Sequence, residues 1–179
     1  SLSLYMDYLL CVDNLGTLYI LKDDRILFRV TCDDPVAYYT SVNVTSHGIV
    51  AATSTNLIEF FVFNDNFIKV TRRLRVSPLA NVSSLTSDSN GMLWLCADNG
   101  FGYLDLGNRF HLCNYENYNS AIERVMEDYE GNLWVASSRH GVMKLAKSDF
   151  HNLFDEAGLK GTVVNCVTNY NGNWYCGTD

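Results

Sequence analysis

The side chains that most often carry chemistry are scattered along this sequence. Its four histidines stand alone, with no HExxH, His-x-His or Cys/His spacing that would predict a metal site. The six cysteines form no CxxC pair, and four of them lie in apolar runs, where a free thiol behaves as a small hydrophobic side chain. We predict that these four, Cys11, Cys96, Cys166 and Cys176, are buried free thiols. The sequence therefore indicates no metal and no cofactor.

Three short acidic segments, at 88–91, 128–131 and 169–172, resemble calcium loops only superficially. Each has the pattern Asp/Asn-x-Asp/Glu/Asn-Gly, which is too short to wrap a cation. Two polar residues that tolerate turn conformations, followed by a glycine that accepts positive φ, are typical of a hairpin turn. No Gly-x-Ser-x-Gly elbow is present, and Gly100-Phe101-Gly102 is an isolated fragment. We therefore predict that the chain is not an enzyme.

Each of these turns opens a copy of one repeat. The turn glycines Gly48, Gly91, Gly131 and Gly172 are 43, 40 and 41 residues apart, a period typical of propeller blades and of some helical repeats. A short apolar run with an aromatic residue follows the last three, and Trp94, Trp134 and Trp174 lie in these runs. The runs have five or six residues and lack helical spacing, so they predict strands and an all-β fold.

The repeat predicts a single partial β-propeller, with about four to five four-stranded antiparallel blades of a larger ring. The second strands are apolar on both faces, as expected for a sheet that lies between two other sheets. A β-sandwich is the alternative, but it gives no reason for a fixed repeat. Residues 5–12 read as a second strand, so the first blade is expected to lack its first strand. The predicted blades are 1–31 (partial), 36–76, 80–116, 121–155, with a weak last strand at Phe150–Phe154, and 162–179 (partial).

Charge and hydropathy exclude several classes of partner. The net charge of −7 provides no phosphate-neutralising surface for nucleic acid and argues against docking on anionic lipid. No run of eighteen apolar residues occurs, so no membrane-spanning segment is predicted in this chain. Its first residues lack the basic flank and apolar core of a signal peptide.

One family shares the repeat. Gly-Asn-Leu-Trp-Val at 131–135, followed by a small polar loop and Gly141-Val142, resembles the β-propeller repeats of bacterial two-component-regulator sensors. The segments at 91–94 and 172–178 fit with single departures, whereas residues 1–76 fit weakly. The resemblance implies a non-catalytic, ligand-sensing region outside the cytoplasm, linked through the rest of a parent receptor to a kinase or cyclase. Such repeats are more specific for architecture than for function.

In a propeller, loops that join second to third strands, and fourth strands to the next blade, emerge on one rim around the channel. The loops predicted there are polar and aromatic, suited to hydrogen bonding and to stacking on flat apolar faces. We predict that they bind a small polar ligand such as a glycan fragment. The candidate ligand-binding residues are Asp13, Asn14, Asp98, Asn99, Arg139, His140, Tyr115 and Tyr118. A carbohydrate hydrolase or lyase using Asp13, Asp98 and Glu116, or a protein-interaction scaffold, is the alternative.

An open arc of blades leaves apolar faces uncovered at its two ends. The sequence therefore predicts self-association through these open blade faces.

Overall fold

The computed structural model describes residues 1–46, 48–115, 118–146 and 163–178. The chain divides into two compact units, Ser1–Ala146 and Lys147–Asp179, which are described separately. All secondary-structure elements of the described residues are β-strands, which confirms the all-β prediction. Across the described part of the chain, no helix is long and apolar enough to cross a bilayer.

Three four-stranded antiparallel sheets make up most of the first unit, and each pairs its strands in chain order. Blade 1 consists of β1 (Leu2–Tyr5), β2 (Tyr8–Val12), β3 (Leu18–Lys22) and β4 (Arg25–Val30). Blade 2 consists of β5 (Tyr39–Thr45), β6 (Gly48–Thr53), β7 (Leu57–Asn64) and β8 (Phe67–Arg75). Blade 3 consists of β9 (Val82–Ser87), β10 (Leu93–Ala97), β11 (Gly100–Leu104) and β12 (Phe110–Cys113).

Two smaller sheets follow. Blade 4 comprises β13 (Ile122–Glu127), β14 (Leu133–Ser137) and β15 (Gly141–Leu145). The second unit contains a two-stranded sheet of β16 (Val164–Tyr170) and β17 (Asn173–Thr178). The weak strand predicted at Phe150–Phe154 lies outside the described residues.

Blade 1 is a complete four-stranded sheet, so the prediction that its first strand is missing is wrong. The predicted strand 5–12 is interrupted at Met6-Asp7, and β1 pairs with β2 from Leu2 opposite Cys11 to Tyr5 opposite Tyr8. Met6 takes a positive φ of 52°. A bulky apolar residue rarely adopts this conformation, so the sequence carried no turn signal at this position.

The four blades of the first unit follow one another through their first strands, with β1 beside β5, β5 beside β9 and β9 beside β13. Three hydrophobic cores lie between successive blades rather than within any one sheet. Strand β10 contributes to two of them, because Leu95 packs toward blade 2 while Trp94 and Cys96 pack toward blade 4. All five residues of β10 are buried. The prediction of second strands covered on both faces is confirmed here.

Trp134 occupies the corresponding position in β14 but is only half-buried. It lies on the face of blade 4 opposite to Val135, which packs toward blade 3. The Lys144 ammonium sits 5.2 Å from the centre of its ring. Trp94 therefore lies against a neighbouring blade, whereas a cation from its own sheet lies over the Trp134 ring.

A recurring aspartate closes four of the loops. Its Oδ1 accepts bonds from the backbone N–H groups two and four residues later, at 2.8–3.0 Å. Its Oδ2 bonds the side chain six residues later, at 2.8–3.2 Å. The residue three positions later has positive φ in every case. We call this arrangement the Asp turn; its aspartates and their distal partners are Asp13 with Tyr19, Asp88 with Trp94, Asp105 with His111, and Asp128 with Trp134.

The third predicted copy departs from this arrangement. Tyr170 pairs with Asn173, so Asn171 and Gly172 alone form the turn, with φ values of 51° and 81°. Two positive φ values match the type I′ hairpin that Asn-Gly favours, so the shared four-residue turn predicted at 169–172 is wrong. Trp174 is one position too early for an Asp turn, and it is 64% exposed.

The six cysteines are all free thiols. Cys96 is fully buried, and burial raises its pKa to about 12. Cys11 is half-buried, and Cys166 and Cys176 are exposed. The predicted burial is therefore wrong for the last two, because a two-stranded sheet provides little cover for its side chains.

Candidate functional site

The predicted rim is made by the loops that follow β2, β6, β10 and β14 and by the connectors between blades. A polar cavity of about 460 Å³ lies at the junction of blades 3 and 4. Its lining residues come from the β10–β11 loop, the connector before β13 and the β14–β15 loop, and they are Asp98, Asn119, Ser120, Ala121, Arg139 and His140. Three of the candidate ligand-binding residues, Asp98, Arg139 and His140, are thus brought together.

Asp98 forms one wall of this cavity and is exposed. Its backbone N–H donates to the Ala80 carbonyl at 3.2 Å, and its Oδ2 accepts a bond from Asn81 Nδ2 at 2.8 Å. These bonds tie the β10–β11 loop to the connector that enters blade 3. These bonds hold the carboxylate in position, and no described residue donates a hydrogen bond to its Oδ1.

Asn99 supports the site instead of lining it. Its Oδ1 accepts the backbone N–H of Ala80, and its Nδ2 donates to the Pro78 carbonyl, each at 2.8 Å. Both ends of the amide are thus engaged by the connector. The structure assigns Asn99 to holding the loop that carries Asp98.

The β14–β15 loop forms another part of the cavity wall. The Ser137 hydroxyl accepts the backbone N–H groups of Arg139 and His140 at 3.2 and 3.3 Å, which fixes the course of the loop. Both residues are exposed. The Tyr118 ring lies 6.1 Å from the His140 ring, and its hydroxyl donates to the His140 carbonyl at 3.3 Å. Tyr118 therefore supports the wall from the side.

Tyr115 lies in the same connector, and its carbonyl accepts the Tyr118 backbone N–H at 3.0 Å. Its ring stacks on Phe101 with a 10° interplanar angle and 5.9 Å between centroids, and it is 41% exposed. Glu116, the third carboxylate of the alternative enzyme hypothesis, lies outside the described residues. Neither Tyr115 nor Tyr118 is among the residues that line the polar cavity.

Asp13 and Asn14 lie in the β2–β3 loop and do not line this cavity. The Asp13 carboxylate belongs to an Asp turn and is occupied by Leu15, Thr17 and Tyr19. The Thr17 backbone bond is the main cause that lowers its pKa below the usual value. Asn14 is exposed. Asp13 is therefore a turn-forming residue, and it does not converge with Asp98 on a common cavity.

A second polar cluster was missed by the sequence analysis. Glu59 is 3% exposed, accepts the Tyr39 hydroxyl at 2.6 Å and pairs with Arg73 Nε at 2.7 Å. Arg73 also pairs with Asp33, in the connector between blades 1 and 2. Burial, followed by the bond to Glu59, strongly raises the pKa of Tyr39. A single acidic residue inside the apolar run 57–63 was the available signal.

The cluster around Glu59 borders a smaller cavity of about 270 Å³, to which Cys32 also contributes. Burial raises the pKa of the Cys32 thiol to about 11, so it is protonated at neutral pH. Among the described residues, no group of three or more His, Cys, Asp or Glu side chains is placed to hold a metal ion. Because Arg73 pairs with both Glu59 and Asp33, these residues attach the connector between blades 1 and 2 to blade 2.

Comparison with known proteins supports the architecture. No protein-family model matches the chain, and no curated protein matches it. Among solved structures, a WD40 β-propeller domain of Doa1 is similar with a TM-score of 0.61 at 13% identity, over 80% of this chain and 48% of that one. The fold is a partial β-propeller. Its four-stranded antiparallel blades match those of such structures.

Two further structures share this architecture. The extracellular domain of BT3049 from B. thetaiotaomicron, a protein named as a hybrid two-component system, has a TM-score of 0.59 at 20% identity, over 97% of this chain and 24% of that one. A chain of the mitotic checkpoint complex has a TM-score of 0.63 at 14% identity, over 80% of this chain and 44% of that one. This chain thus spans less than half of each of these three proteins.

Proposed function

We propose that this chain is a ligand-sensing, non-catalytic propeller module of a bacterial signal-transduction receptor. The observation that carries the proposal is the polar cavity between blades 3 and 4, where Asp98, Asn119, Arg139 and His140 converge from three separate segments. Loops held by a rigid scaffold are the usual carriers of binding sites. A cavity of this size lies in the range of about 300–1,000 Å³ that is common for small-molecule sites.

The sensor part of the proposal has two supports. The Gly-Asn-Leu-Trp-Val repeat resembles those of two-component-regulator sensors, and the BT3049 extracellular domain has a similar structure over nearly all of this chain. By this reasoning the module lies outside the cytoplasm and passes its signal through the rest of a parent receptor. The ligand is a small polar molecule, with glycan fragments among the candidates.

The positions of the candidate catalytic carboxylates support the non-catalytic part of the proposal. Asp13 is occupied by its own turn, and it lies in a different loop from the cavity that Asp98 lines. Carbohydrate hydrolysis usually needs two acidic side chains on opposite sides of the scissile bond. The described rim residues provide one such carboxylate at the cavity, which suits binding better than hydrolysis.

Ligand binding is the direct test. Saturation-transfer NMR on the purified chain would use a panel of neutral oligosaccharides, uronic-acid oligosaccharides, free amino acids and dipeptides. We expect at least one compound to bind, and Arg139→Gln to weaken its affinity by about tenfold through loss of a charged hydrogen bond. Arg75→Gln, on the outer strand of blade 2, is the matched control.

Two results would contradict the proposal. If no member of the panel bound to the wild-type chain, the sensor reading would fail. If an oligosaccharide were cleaved, and Asp98→Asn abolished the cleavage, the module would be an enzyme.

Self-association is proposed on separate grounds. Blade 1 has a face that points away from blade 2, and blade 4 has one that points away from blade 3. Both faces carry exposed apolar side chains, with Leu4 at 72% and Met126 at 55% exposure. Covering such faces removes apolar area from water. We expect light scattering to show an oligomer at high protein concentration, and a monomer under those conditions would contradict the expectation.

A further inference from the structure

Two opposite charges line the cavity between blades 3 and 4 without pairing with each other. Asp98 and Arg139 both contribute to its wall. Within the described residues, the salt bridges involve other side chains, and neither Asp98 nor Arg139 takes part in one. The two charged groups thus face one space and stay more than an ion-pair distance apart.

Each of the two groups also has open hydrogen-bonding capacity. Asp98 uses only Oδ2, for Asn81, which leaves Oδ1 without a donor in the described part of the chain. Arg139 bonds Ser137 through its backbone N–H, and no described residue accepts from its guanidinium. A carboxylate oxygen can accept about two bonds and a guanidinium can donate five. Both charges are therefore available to a bound molecule.

Some oppositely charged groups of the described chain pair with each other, and others do not. Arg73 bridges Glu59 and Asp33, and Arg109 bonds Asp105 at 3.0 Å. Asp98 and Arg139 line one cavity without pairing, so a ligand that carries both charges would bridge them.

We infer that this cavity binds a zwitterion, a free amino acid or short peptide whose ammonium bonds Asp98 and whose carboxylate bonds Arg139. The inference rests on the proposed function, since it names the ligand class of the same site. A purely anionic ligand would bring its charge toward Asp98, and a neutral sugar would leave the two charges unmatched. Asn119 and the His140–Tyr118 ring pair would hold the polar and flat parts of the side chain.

The test uses free L-amino acids and the dipeptide glycyl-tyrosine, titrated into the full chain by calorimetry. The strongest of these zwitterions is then compared with its N-acetylated form and its C-terminal amide. Each blocked end removes one charge-assisted bond, so we expect each to weaken binding by about tenfold.

Two variants assign the ends. In Arg139→Gln the acid and its amide should bind equally, because the group that distinguishes them is gone. In Asp98→Asn the free and acetylated amines should bind equally. Arg75→Gln is the control and should keep both preferences. Circular dichroism verifies that each variant is folded.

The outcomes separate this inference from the proposed function. If an oligosaccharide bound in an Arg139-dependent way and no amino acid or dipeptide did, the zwitterion would be excluded while the sensor proposal stood. If a zwitterion bound with the same affinity to the wild-type chain and to both variants, the assignment to this cavity would also be overturned. If neither compound class bound, both would fail.

Discussion

The bond between Asp88 and Trp94 offers the sharpest test of how a blade is held together. Asp88 Oδ1 accepts the backbone N–H groups of Asn90 and Met92, and Oδ2 accepts the indole N–H, all at 2.9 Å. Trp94 is 7% exposed and packs against blade 4. In Asp88→Asn, the amide oxygen can keep the two backbone bonds, but its NH₂ group then faces the indole N–H.

The expected cost follows from this geometry. A buried donor left without an acceptor costs about 1–3 kcal/mol, so we expect Asp88→Asn to lower the free energy of unfolding by about 2 kcal/mol. Trp94→Phe removes the same donor while it keeps an aromatic ring between the blades. In the Trp94→Phe background, Asp88→Asn should therefore cost less than about 0.5 kcal/mol, giving a coupling of more than about 1 kcal/mol.

Urea unfolding followed by far-ultraviolet circular dichroism measures all four proteins without relying on tryptophan fluorescence. The m-value must stay constant across the set for the comparison to hold. Equal effects of Asp88→Asn in the two backgrounds would show that the indole bond adds nothing, and the Asp turn would then be a backbone device only.

Two other perturbations test the turns and the blade contacts. A hydrogen bond from Trp134 holds the pKa of Asp128 well below the usual 3.8, and one from His111 does the same for Asp105. The two ionised carboxylates therefore stabilise the fold above about pH 3.8, and this stabilisation is lost as the pH falls below that value. The urea midpoint of the wild-type chain should therefore fall between about pH 5 and pH 3, and less so in Asp128→Asn; an equal fall would refute this. Gly16 and Gly141 both have positive φ, but only at Gly16 would a new Cβ clash with the Tyr38 side chain. Gly16→Ala should thus lower the free energy of unfolding by about 1–3 kcal/mol more than Gly141→Ala, and equal urea midpoints would contradict the proposed clash.

The propeller architecture was predictable because a few residues in each repeat specify a turn followed by a buried strand. A glycine turn followed by an apolar run recurs at a fixed period, and two-sided burial of β10 follows from its composition. The first strand of blade 1 was missed because Met6 adopts positive φ without a glycine or asparagine to signal a turn. The pattern likewise hid the Asp turn at Asp105, where Asn108 replaces the glycine and His111 replaces the tryptophan.

The candidate site was predictable only in part. Loop position was enough to bring Asp98, Arg139 and His140 into one cavity. Loop position could not distinguish residues that face the cavity from residues that hold the loop in shape. Asp13 and Asn99 belong to the second group, because their side chains accept backbone N–H groups. That distinction depends on which backbone N–H groups need an acceptor, which is set by loop geometry and not by residue type.

The Asp turn closes each hairpin with contacts that reach only six residues along the chain. A hairpin whose closure depends on such nearby residues pays little loop-closure entropy, so it can form before its neighbours are in place. In an array where each unit touches only the adjacent ones, this makes folding stepwise, with hairpins as preformed pieces and stacking as the later event. A unit with self-contained closure can also be added to or removed from the array without redesign of the others, which gives a physical basis for varying the number of blades.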